Sequence, residues 1–286
     1  MATGIASAHT PAQMRPKPEI TAPTDVIVKV TRPAIWGAAS PSPAGETRWP
    51  GRVPGHEGIG IVDRAGAAVA SFKPGDRVLI SCINACGKCA NCRNRMYSHC
   101  VTGGWIVDGM QAEFARIPYA DISLYRIPDD ADESALVTKG DILPTGFKSG
   151  VLNGKVQPGS TVAIVGAGPV GLAALLTAQL YGPAKIIVID QDDDRLEMAK
   201  RFGATAAINS ADARVLEMIR EVTGARGVDT AIEAMDVPDT AALCEKIVTR
   251  GGIVANFKLD HVLEVLLSGK FRDVRGRSEH SHGTIG

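Results

Sequence analysis

The sequence runs to 286 residues, enough for two domains with a buried core each. Lys plus Arg equals Asp plus Glu at 31 apiece, so no net field recruits nucleic acid or an anionic membrane, and a 5% aromatic share offers no base-stacking surface. The hydrophobic share of 45% and charged share of 22% are those of an ordinary globular protein, and the longest apolar runs, such as residues 172–176, are far too short to cross a bilayer.

The opening stretch, MATGIASAHTPAQMRPKPEI, has no apolar core and no secretory pattern. It lacks acidic residues before Glu19, a feature of organelle-import leaders, but only Arg15 and Lys17 carry charge and prolines break any amphipathic helix. A loose polar leader and a cytoplasmic protein are expected. From about residue 25 to 128 the chain reads as short β-rich runs at 26–30, 58–62, 77–80 and 113–117, cut by Gly and Pro. Turn signals such as Lys73-Pro74-Gly75-Asp76 separate them, as in an irregular barrel-like domain.

From Ser160 the pattern switches to strand–helix alternation. Strands are expected at 161–165, 185–189, 206–208, 228–234 and 252–255, with helices at 170–181, 193–202, 211–222 and 239–248. The strand runs are apolar along their length rather than alternating, as parallel strands buried on both faces should be. The fold class is therefore α/β: an irregular β-rich domain over residues 16–148 and a doubly wound Rossmann domain over 149–269. One more helical run, 259–267, and a disordered polar tail, 270–286, are expected after it.

Gly166-Ala167-Gly168-Pro169-Val170-Gly171 follows the first of these strands and opens a helix. Gly166 permits the tight turn, Gly168 lets a pyrophosphate approach the backbone, and Gly171 lets helix and strand pack closely. The second strand ends at Asp190, near the offset of about 20 residues expected of a carboxylate that binds ribose hydroxyls. A carboxylate there repels a 2′-phosphate, which favours NAD over NADP; nearby Arg195 could stack on the adenine or pair with a phosphate. The competing reading is a glycine-rich turn with no ligand.

Cys86, Cys89, Cys92 and Cys100 crowd into one short loop. Thiolates so placed repel one another unless a cation neutralises them, and four sulfurs suit a tetrahedral, structural Zn²⁺ with no open position. A redox dithiol or an iron–sulfur site is the alternative, but neither accounts for all four positions. Cys82 and Cys244 fall outside the pattern and are expected to pack as small apolar residues. Asp192-Asp193-Asp194 reads as a helix-start acid cluster. A lone His such as His56 is ordinarily a satisfied structural histidine.

With these motifs in place, residues 16–255 resemble the zinc-containing medium-chain alcohol dehydrogenases, in particular the bacterial type whose catalytic zinc is held by Cys, His and Asp. The resemblance is carried by Gly55-His56-Glu57-Gly58, by Lys73-Pro74-Gly75-Asp76-Arg77-Val78, by the cysteine lobe, by Asp141-Ile142-Leu143-Pro144-Thr145-Gly146-Phe147 and by the glycine-rich turn. It implies that His56 and Asp141 are catalytic zinc ligands, that Glu57 is a supporting or exchangeable ligand, and that Thr145 lies against the nicotinamide. It also implies a small alcohol or carbonyl substrate.

The chain departs from the family's pattern in several places. The family's Cys ligand stands in an Ile-Cys-Gly-Thr-Asp segment, which here reads Ile35-Trp36-Gly37-Ala38-Ala39. Trp36 offers zinc no lone pair, and Ala38 cannot relay the alcohol proton. The loop around Asp108-Gly109 is shorter than the family's, and residues 1–15 do not read as its opening strands. The expected fifth strand, 252–255, runs straight into Phe257-Lys258-Leu259-Asp260-His261-Val262-Leu263-Glu264, which resembles a segment near the family's C-terminus. The resemblance thus implies that a block between them is missing, one that would hold the sixth strand, which pairs subunits of the family's homo-oligomers, and part of the nicotinamide pocket. Three functions are weighed: an NAD-linked alcohol dehydrogenase; an impaired remnant that keeps structural zinc and NAD binding; and a zinc-free quinone-type reductase, against which the cysteine lobe counts.

Overall fold

In a computed structural model of the chain, residues 2–3, 14–35 and 53–257 are described. The chain divides into two compact units after Asp141.

The first unit is built on a five-stranded antiparallel sheet. Its strands are β1 (Val26–Pro33), β2 (Gly58–Ala65), β3 (Arg77–Ile80), β4 (Phe114–Ile117) and β5 (Leu124–Arg126), in the order β4-β1-β2-β3-β5. Strand alternation gives the sheet two buried faces. Val78 and Ile80 join Val28, Val62, Met110 and Ile117 on one face, while Leu79 joins Ile59, Ile127 and Val137 on the other. Register shifts between β1 and β2 at Ile27/Val28 and Val30/Arg32 mark bulges, which bend and twist the sheet. Asp76 closes the turn before β3: its carboxylate accepts the Lys73 N–H at 2.9 Å and meets the Arg126 guanidinium at 2.6 Å. These partners, Arg126 first, hold its carboxyl below the usual carboxylate range. The leader is not wholly loose, since Ala2–Thr3 pairs antiparallel with Met14–Arg15.

The second unit is a parallel sheet of β6 (Thr161–Val165), β7 (Lys185–Asp190), β8 (Ala206–Asn209), β9 (Val228–Glu233) and β10 (Val248–Asn256). The order β8-β7-β6-β9-β10 reverses direction at β6, as in a doubly wound sheet. Helices α1 (Pro169–Ala178), α2 (Asp193–Arg201), α3 (Val215–Thr223) and α4 (Pro238–Ile247) link the strands. Val162 and Ile164 face one apolar cluster, and Ala163 and Val165 the other. That is why β6 reads as apolar at every position.

The differences from the expected elements have local causes. The Asp192 side chain caps α2 by accepting the N–H groups of Asp194 and Arg195, as expected of a helix-start acid. β10 begins at Val248, ahead of the expected strand, and absorbs the extra residues in a register shift: Val228 pairs with Val248, but Thr230 pairs with Ile253. A helical turn at Ile142–Thr145 runs into a π-helix at Gly146–Leu152, and both pack on α1. This segment therefore belongs to the second unit, and the division falls before rather than after Lys148. The expected helix at 259–267, the tail at 270–286 and residues 36–39 lie outside the described residues.

Candidate metal centres and dinucleotide loop

The cysteine lobe grows out of the first unit on a two-stranded neck. Ile83 pairs with Ile106, and the backbone N–H of Asn84 donates to Trp105 O at 3.2 Å. Fully buried Asn84 accepts the Gly104 N–H on its side-chain oxygen at 3.1 Å. Above the neck, Cys86, Cys89, Cys92 and Cys100 bring their sulfurs within 4.8 Å of one another. Tetrahedral Zn–S bonds of about 2.3 Å would place sulfurs about 3.8 Å apart, and here Cys89 and Cys92 are at 3.5 Å and Cys86 and Cys92 at 4.0 Å. The lobe's buried cluster is only Ala85, Cys92 and Cys100, with Cys86 and Cys89 packed on it. So small a core cannot hold a loop by itself. The backbone N–H groups of Lys88 and Cys89 bring the Cys86 thiol down to about 6, while burial pushes Cys92 up to about 12. Without a cation the four sulfurs cannot all ionise together; the donor set fits zinc.

A second cluster forms at the end of β3 and the start of β2. His56 Nε2 lies 2.9 Å from Asp141 Oδ2, with both side chains largely buried. Glu57, fully buried, accepts the Asp141 backbone N–H on Oε1 at 3.1 Å, which fixes the carboxylate's position. The hydrogen bond to Asp141 raises the His56 pKa; burial opposes it, and the charges of Asp141, Glu57 and Asp108 add to it. An imidazole and two carboxylates are donor types that zinc accepts, but among the described residues only the four lobe cysteines bring three or more ligand atoms within 4.8 Å of one another.

Cys82 departs from expectation. It was expected to pack as a small apolar residue, as Cys244 does in the core of the second unit. Its thiol instead sits close enough to Asp141 and Glu57 to feel their charges, and burial first, then those charges, push its pKa up. Strand alternation puts Cys82 in step with the core residues Val78 and Ile80, so the sequence offered no signal for this placement.

In the second unit the glycine-rich loop links β6 to α1. Gly166 has φ +107°, a left-handed conformation that favours glycine. A Cβ at Gly171 would lie 1.8 Å from Gly166 O, so loop and helix touch there as the motif requires. A Cβ at Gly168 would meet nothing within 4 Å. Gly168 is the N-cap of α1 and leaves the helix without a side-chain cap, so an open cradle faces the first-turn N–H donors. Asp190 ends β7 beside this loop, accepting the Ala167 N–H at 2.6 Å and the Asp192 N–H at 3.0 Å. An ionised carboxylate has about four acceptor positions, so it keeps capacity for a sugar hydroxyl. The Arg195 guanidinium is turned toward Asp190 at 4.0 Å and Asp192 at 3.7 Å, where it neutralises these acids. Thr145 is half-buried at the end of its helical turn.

Comparison with known proteins agrees with this arrangement. The alcohol dehydrogenase GroES-like domain matches residues 22–129, and the zinc-binding dehydrogenase domain matches residues 169–270. An alcohol dehydrogenase of Cupriavidus necator is 32% identical over 270 residues, spanning 85% of this chain and 71% of that protein. The medium chain reductase/dehydrogenase ucsI of an Acremonium species is 31% identical over 262 residues, 87% of this chain and 89% of the relative. Among solved structures, the apo form of zinc dependent alcohol dehydrogenase 2 from Streptococcus pneumonia is 42% identical, with a TM-score of 0.79 over 96% of this chain and 88% of its own. The chain is a member of the zinc-containing medium-chain alcohol dehydrogenase family of oxidoreductases.

Proposed function

We propose that the chain is an NAD-linked, zinc-dependent oxidoreductase that converts a small alcohol to its aldehyde or ketone. The observation that carries this reading is the convergence of His56 and Asp141 at 2.9 Å, backed by the buried carboxylate of Glu57. Zinc supplies Lewis acidity toward the alcohol oxygen when bound, and NAD is the hydride acceptor. His56 and Asp141 hold the metal, and Glu57 orients Asp141 through its backbone N–H. In the second unit Gly166, Gly168 and Gly171 admit the pyrophosphate to the N-terminus of α1. Asp190 receives the ribose and disfavours a 2′-phosphate, and Thr145 abuts the nicotinamide. Cys86, Cys89, Cys92 and Cys100 hold a second, structural zinc.

The Trp36 and Ala38 substitutions favour a second reading, in which the chain binds zinc and NAD with little turnover. The experiment is NADH formation from a panel of short primary and secondary alcohols, compared with Asp141→Asn. Alcohol-dependent NADH that Asp141→Asn abolishes supports the first reading. NAD binding with no NADH from any alcohol supports the second.

A further inference from the structure

We infer that Glu233 is a positioning residue of the dinucleotide site, holding the loop after β9 as the wall that faces the glycine-rich loop. The inference rests on the reading of residues 166–171 as a dinucleotide loop. In a doubly wound sheet the ligand enters beyond the carboxyl ends of the strands, where the strand order reverses. Here that crevice opens between β6 and β9, which are neighbours in the sheet. The glycine-rich loop follows β6 and forms one side. Residues 234–237 follow β9 and form the other.

Glu233 ends β9 opposite Val165, the last residue of β6, and is fully buried. Its Oε1 takes every bond: the N–H groups of Met235 and Asp236 donate to it at 2.9 Å each, and the Thr240 hydroxyl lies 2.7 Å away. That hydroxyl also lies 2.8 Å from Val237 O, so the carboxylate ties the loop to the first turn of α4. The other oxygen, Oε2, is buried with no hydrogen-bond partner among the described residues. Such an atom costs stability, and what offsets it is the turn that Oε1 shapes. Within that turn Asp236 has φ +61°, a left-handed conformation that persists in a non-glycine residue only where its surroundings hold it. The turn carries Met235 onto the glycine-rich loop. A Cβ at Gly166 would lie 2.7 Å from Met235 Cγ and 3.0 Å from its Sδ, so the thioether side chain rests on the loop's first glycine. Met235 thereby presents an apolar surface at the edge of the loop that cradles the pyrophosphate.

The test is NAD affinity of the full chain, measured by calorimetry well below Tm so that lost global stability alone does not move it. Glu233→Ala frees two loop N–H groups; a loop that then adopts its held form about one tenth of the time raises Kd for NAD about 10-fold. Glu233→Gln keeps an oxygen acceptor and should bind NAD close to the unmodified chain. A Kd as high as that of Glu233→Ala would overturn the inference. Met235→Ala removes the side chain on Gly166 without touching the carboxylate, and should raise Kd severalfold. Because Glu233 acts through Met235, the double variant should raise Kd no further than the larger single change. Effects that multiply would overturn the inference, as would an unchanged Kd in Glu233→Ala. If Glu233→Ala does not fold, Met235→Ala decides: a raised Kd supports the inference and an unchanged one overturns it. An unmodified chain that binds neither NAD nor NADP would overturn it together with the dinucleotide reading. Weakened NAD binding in both single variants of a chain that oxidises no alcohol would support Glu233 and count against the dehydrogenase reading.

Discussion

Adding one methyl group at two glycines of the same loop separates folding from binding. At Gly171 the new carbon would sit 1.8 Å from Gly166 O, where ordinary contact needs at least 3.4 Å. Helix α1 must back away from the loop by more than an ångström, and overpacking of this kind costs about 1–3 kcal/mol or more. The expected reading is a drop of several degrees in Tm, with weakened dinucleotide binding. At Gly168 the methyl meets no protein atom within 4 Å, and φ of −69° suits alanine. The poorer N-cap costs up to about 1 kcal/mol, so Gly168→Ala should melt close to the unmodified chain. The methyl fills the cradle that the pyrophosphate would enter, and loss of a hydrogen bond to a charged group is worth about 1.5–3 kcal/mol. That corresponds to roughly a 10- to 100-fold rise in Kd for NAD. Thermal unfolding without ligand and calorimetric titration with NAD measure the two effects. Gly168→Ala that binds NAD as tightly as the unmodified chain would refute the assignment of the pyrophosphate to this cradle. An unchanged Tm in Gly171→Ala would refute the packing argument.

The remaining predictions concern metal, cofactor choice and pH. Cys89→Ser should remove the lobe's zinc by elemental analysis and expose residues 86–100 to proteolysis; unchanged zinc content would contradict the four-sulfur site. Asp190→Ala should narrow the gap between NAD and NADP affinities, and the ratio is read because general destabilisation does not move it. Equal affinities in the unmodified chain would remove that role from Asp190. The folded-state pKa of Asp76 is lowered, so its stabilising effect is complete above the unfolded carboxylate value of about 4 and is lost as pH falls through the lower folded value. Denaturant unfolding of Asp76→Asn should therefore show a shallower acid loss of stability than the unmodified chain, with the difference appearing below about pH 4.

The second unit was legible because its strands are buried on both faces and its glycine motif ties strand, turn and helix into one local unit. The break at β10 was less so, since the register shift at Val248–Ile253 depends on pairing with β9 rather than on pattern. In the first unit β5 gave no signal: it is three residues long, and Tyr125 and Arg126 are exposed. The cysteine lobe could be read from spacing alone, because all its ligands are local. The second cluster could not, since 84 residues separate Glu57 from Asp141 and only resemblance to a family joined them. Cys82 escaped for the same reason. The acids near it come from distant segments, and a single thiol in an apolar strand looks like packing.

Hydride transfer itself tests the central claim most directly, and it can be read even where turnover is slow. Zinc-replete protein is incubated with NAD and an alcohol deuterated at the reacting carbon, and the nicotinamide product is weighed by mass spectrometry. The account predicts deuterated NADH, with none formed by His56→Ala. Protein that holds zinc in both clusters and binds NAD, yet delivers no deuterium from any small alcohol, would contradict it.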